Sequence, residues 1–93
     1  MMIMTSAINE DVAAALPTID DERKRHLQGM INRFYYPLPS GTSYNAAQAY
    51  VIAEIVVKGA ITAGYMARPD GTPESQRRIE FAIALIAAYI QHR

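Results

Sequence analysis

The stretch Glu74–His92, ESQRRIEFAIALIAAYIQH, carries a helical period and no two-residue one. At 100° per residue Ile79, Ile83, Ile86 and Ile90 share an arc of about 60°, so a helix here offers a continuous aliphatic stripe to a core. Phe81, Leu85, Ala88 and Tyr89 occupy an arc of about 100° on the far side, which leaves Glu80, Ala84, Ala87 and Gln91 as a thin outer wedge. A helix on the edge of a small bundle needs one apolar stripe; this one has two. Its longest apolar run, Phe81–Ile90, is ten residues, short of the roughly 18 needed to span a bilayer.

Working outward, Arg68-Pro69-Asp70-Gly71-Thr72-Pro73 has turn chemistry, with Thr72 or Ser75 available to cap the helix that follows. Before it, about Tyr44 to Met66, lies a second apolar helix whose only charges, Glu54 and Lys58, are spaced to pair. Ile52, Val56, Ala63 and Met66 lie on one side of it, and Tyr50, Val57 and Ile61 lie opposite, so it is expected to touch neighbours on two sides. A strip of small residues between those faces, Ala46, Ala49, Ala53, Ala60 and Gly64, suits close approach of another helix. Pro37-Leu38-Pro39-Ser40-Gly41 is a loop, because two prolines remove backbone donors; Thr42 or Ser43 is the expected cap after it.

A helix from Ile19 to Tyr36 is expected before that loop, capped by Thr18, with Asp20, Asp21 and Glu22 at the positive end of its dipole. Its Leu27, Met30, Ile31 and Phe34 form the core-facing arc. Pro17 ends a short helix capped by Ser6 or Asn9, and residues 1–5 read as a loose tail without the basic start of a secretion signal. The fold expected is all-α: a single domain over residues 1–93, a bundle of three long antiparallel helices plus a short N-terminal one.

Composition removes several function classes. The chain of 93 residues carries nine Lys+Arg and nine Asp+Glu, a net charge of zero, so no global field recruits nucleic acid or anionic lipid. It has no cysteine, which excludes thiolate chemistry, disulfides and Cys-ligated zinc and leaves the cytoplasm as a default compartment. His26 and His92 are the only histidines. Glu22 is the one ligand at helical spacing from either of them, so no metal site is expected. Gly41 and Gly71 belong to no phosphate-binding pattern, and no serine has a base at a recognisable spacing, so neither cofactor nor catalytic residue is assigned. Glu54, inside an apolar helix, is the carboxylate best placed for desolvation, with Lys58 one turn away as its neutralising partner.

The cluster Asp20-Asp21-Glu22-Arg23-Lys24-Arg25-His26 offers Arg23, Lys24, Arg25 and, two turns on, Arg33 to phosphates. Its i,i+4 spacings, Asp20 with Lys24, Asp21 with Arg25 and Glu22 with His26, instead read as a self-neutralised solvated surface. Six tyrosines suit a contact surface, since each pairs an apolar body with a polar tip.

The surplus apolar face has three explanations: the last helix is central, it meets another chain, or it lines a cavity. The expectation adopted is a non-enzymatic homodimer that associates through Phe81, Leu85, Ala88 and Tyr89 and presents Arg25, Arg33, Tyr35, Tyr36 and Leu38 to a protein partner. The alternatives are an apolar-ligand binder with a cavity lined by Ile55, Met66, Phe81 and Tyr89, and a nucleic-acid-binding dimer that pools two copies of the basic face.

Overall fold

The computed structural model describes residues 19–93, which form three helices: α1 (Asp21–Phe34), α2 (Ala46–Thr62) and α3 (Pro73–His92). The expected short helix before Pro17 and the tail before it lie outside the described residues.

Each helix starts where a side chain can satisfy the free N–H groups of the first turn. The α1 cap is Asp20, not Thr18: its carboxylate accepts the Arg23 N–H at 2.8 Å, placing a negative charge at the dipole's positive end. The α2 cap is Asn45 rather than Thr42 or Ser43. Its Oδ1 accepts from the Gln48 N–H at 2.8 Å while the Gln48 side chain accepts from the Asn45 N–H at 3.0 Å, a reciprocal capping box that only the residue three before a Gln or Glu can form. Thr72 caps α3, as one of the two expected residues, with Pro73 at the first helical position, where its missing N–H costs nothing.

The ends are equally local. Pro37 disfavours helical geometry in the residue before it, and α1 stops at Phe34. Helix α2 ends at Thr62, four residues short of the expected Met66, because Gly64 takes φ +84°. Its N–H donates to Ile61 (3.1 Å) and the Tyr65 N–H to Ala60 (2.8 Å), the paired bonds of a Schellman motif that turns the chain out of the helix.

The core unites Leu27 and Ile31 of α1, Ala49, Ile52, Ala53, Val56 and Val57 of α2, and Ile83, Ile86, Ala87 and Ile90 of α3. Helix α2 is the central element: its interface with α3 is the most extensive, that with α1 is next, and α1 and α3 meet least. Ala49, Ala53 and Ala60 are fully buried, as expected of a strip that admits a neighbour closely, whereas Ala46 and Gly64 are exposed. Gly59 lets α1 lie close to α2, since a Cβ there would stand 2.9 Å from Phe34 Cδ1.

The wedge expected to face outward on α3 does so only in part: Gln91 is exposed and Glu80 half-buried. Ala84 and Ala87 are buried, because their size lets α3 lie close and turns the buried arc toward them. Phe81 is left outward, 40% exposed, with Leu85, Ala88 and Tyr89 half-buried.

Candidate functional site

Because α1 and α3 both pack on α2 but only sparsely on each other, an open groove of about 390 Å³ runs between them. Its walls are His26, Leu27 and Met30 from α1 and Ala82, Leu85 and Ile86 from α3, and Tyr65 and Met66 of the α2–α3 connection also line it. A second, more polar hollow of about 500 Å³ adjoins it, sharing His26, Leu27 and Leu85 and adding Asp20, Glu22 and Arg23. Leu85 therefore lines both.

Local bonds fix the groove's borders. The Tyr89 hydroxyl on α3 donates to Oε1 of Gln28 on α1 at 2.8 Å, and the Gln28 amide donates to Oδ1 of Asn32 at 2.9 Å. The Tyr65 ring meets Phe34 edge-on at 5.5 Å, and the Arg33 guanidinium stands 5.0 Å from the Tyr65 centroid, an aromatic pair with a cation on the ring face.

The four residues expected to form a self-association face do not share one environment. Phe81 is outward, Ala88 is half-buried, Leu85 forms groove wall, and Tyr89 is held by Gln28. Of the residues assigned to a partner surface, Arg25 is exposed and Tyr36 is 68% exposed. Arg33 is engaged with Phe34 and Tyr65, while Tyr35 and Leu38 pack against the core. Tyr35 and Tyr36 stack edge-on at 4.9 Å. Their loop is anchored from the far end of the chain, where Arg93 donates to the carbonyls of Pro39 (3.1 Å) and Thr42 (3.4 Å) and sits 5.7 Å from the Tyr44 ring centroid.

The groove has a different lining from the cavity expected between the two apolar helices. Of Ile55, Met66, Phe81 and Tyr89, only Met66 lines it; Ile55 and Phe81 are exposed. His26, Leu27, Met30, Tyr65, Ala82 and Ile86 were not expected as site residues, and the pair of unbranched methionines, suited to irregular apolar gaps, was the available signal.

Titratable groups add little chemistry. Burial, then the negative charges of Glu54 and Glu80, pushes the Tyr50 hydroxyl above its ordinary value. Among the described residues no three His, Asp or Glu side chains converge as a metal ion requires, every buried side-chain N or O has a hydrogen-bond partner, and no helix is long and apolar enough to cross a membrane. Asp20 spends its carboxylate on the Arg23 backbone, while Arg23, Lys24 and Arg25 are exposed.

Compared with known proteins, the chain matches no family model, no curated protein and no solved structure. The site's geometry alone carries the functional reading.

Proposed function

We propose that this chain is a non-enzymatic helical interaction protein that forms a homodimer through the outward face of α3, centred on Phe81 and flanked by Leu85 and Ala88, and presents the Arg25 and Tyr36 surface to a protein partner. One observation carries the reading. Among the described residues α2, not α3, has the larger interfaces, which favours self-association over a central position as the reason for the second apolar stripe of α3. Phe81 stays 40% exposed although the opposite side of its helix is buried. Covering a large apolar side chain stabilises by about 1.5–3 kcal/mol relative to leaving it in water, and two copies of one face cover each other.

Phe81→Glu tests this without touching the core. The proposal expects a folded variant, with the parent's helical circular dichroism, whose solution mass is halved. A folded variant with the parent's mass places the interface elsewhere and overturns the reading. Leu85→Glu is the weaker probe, because Leu85 also lines the groove and its loss can unfold the chain.

A further inference from the structure

We infer that a second copy lies antiparallel along α3, in the register that sets Glu74 opposite His92, Arg78 opposite Ala88 and Phe81 opposite Leu85 of the other chain. This arrangement rests on the dimer proposed above and fixes how its two chains meet. Its first support is spacing. Glu74, Arg78, Phe81, Leu85, Ala88 and His92 follow one another at intervals of 4, 3, 4, 3 and 4 residues, the spacing that keeps one seam of a helix against a partner helix. At 100° per residue they fall in an arc of about 80°. None of them is buried: Leu85 and Ala88 are half-buried and the others exposed, while Ile83, Ala84, Ile86, Ala87 and Ile90, which lie between them in sequence, belong to the chain's own interior. The seam runs about 27 Å from Glu74 to His92.

The second support is symmetry. The six positions are placed evenly about a midpoint level with Ile83, so a two-fold axis there overlaps the two helices along their whole length and makes each contact twice, as a closed pair of identical chains requires. Phe81 then packs on Leu85, and the small Ala88 leaves room for the aliphatic stem of Arg78. A parallel pair instead stacks Phe81 on Phe81 and Ala88 on Ala88, which crowds one layer and leaves the other loosely filled.

The third is charge. Glu74 is the acidic residue in the first turn of α3 and His92 the basic residue in its last. Antiparallel pairing sets each Glu74 beside His92 of the other copy, and the positive end of each helix dipole beside the negative end of its neighbour. Parallel pairing sets Glu74 on Glu74 and Arg78 on Arg78, like charges held against each other at two layers of the seam. Charge and side-chain size therefore select the same arrangement.

The chain has no cysteine, so Glu74→Cys and His92→Cys each take a single nitroxide label at an exposed position. Electron spin resonance then reads the distances between labels in the full chain, under conditions where light scattering finds the labelled dimer. Each variant alone is expected to hold its two labels about 27 Å or more apart, the length of 18 helical residues. A mixture of the two variants is expected to add a short population, set by the roughly 10 Å between packed helix axes. Short distances in each variant alone assign a parallel pair and overturn the arrangement while the dimer stands. A dimer with no short distance in any sample places the interface off the seam and also overturns it. His92→Lys tests the pairing without a label, because Lys meets Glu74 in the antiparallel pair and another Lys in the parallel one. The dimer dissociation constant is expected to fall about two- to tenfold, and a rise overturns the arrangement. An unmodified chain that stays single at every concentration overturns the dimer itself, and this arrangement with it.

Discussion

The Tyr89 hydroxyl reaches across 61 residues of sequence to donate to Gln28 Oε1 at 2.8 Å, a bond that ties the end of α3 to the middle of α1 where those helices otherwise meet little. Its worth is that of one net intramolecular hydrogen bond. Tyr89→Phe is expected to lower unfolding stability by about 0.5–1.5 kcal/mol with the denaturant slope unchanged, measured by urea titration. Full stability in the variant would mean that the two helices are not held by this pair.

Two glycines should answer the same substitution with opposite signs. Gly29 has nothing within 4 Å of a new Cβ, and Ala there is expected to stabilise by about 0.5–1 kcal/mol through helix propensity alone. At Gly59 the new Cβ falls 2.9 to 3.1 Å from Cδ1, Cβ and Cγ of Phe34. Phe34 Cβ is fixed to the backbone, so α1 must move. Gly59→Ala is expected to lose about 1–3 kcal/mol net, read by thermal or urea unfolding.

The capping box at Asn45 and Gln48 supplies a third expectation. Asn45→Ala removes the acceptor of the Gln48 N–H and should cost about 1 kcal/mol. Thr42→Ala and Ser43→Ala should cost less than half as much by the same unfolding assay, since neither residue caps α2.

These sites show what the sequence displayed and what it hid. The apolar arc of α1, the two-sided burial of α2 and the isoleucine stripe of α3 were legible because helical period alone reports which residues share a face. Cap positions were missed at Thr18 and Thr42 because Asp and Asn two or three residues on compete for the same role, and the winner is set by where the first turn closes. The end of α2 was placed too late because Gly64, read as part of a small-residue strip, instead supplies the positive φ of a helix stop. Ala84 and Ala87 looked like an outer wedge because hydropathy does not separate an alanine that faces water from one that lets a helix approach. The groove was the least legible feature. It arises from how far α1 and α3 diverge on α2, which no one-dimensional period encodes, so Met30 and Ile86 read only as core residues.

The turn before α3 makes a pH prediction. The Asp70 carboxylate accepts from the Thr72 hydroxyl (2.6 Å) and the Thr72 N–H (3.0 Å), and these bonds, the side-chain one first, hold its pKa below the ordinary carboxylate value. The folded state thus binds this proton less tightly than the unfolded chain does. The stabilisation is complete above the unfolded value, about pH 4, and is lost as pH falls through the lower folded value. The melting temperature of Asp70→Asn is expected to fall below the parent's at pH 7, with the gap closing in acid. A gap that widens below pH 4 would contradict the assignment.

The dimer is tested most directly by light scattering of the unmodified chain over a wide range of concentrations. The account predicts twice the 10.3 kDa chain mass over most of that range, with dissociation only on dilution. A mass of one chain at every concentration would contradict it, and would leave the exposed Phe81 face without a second copy to cover it.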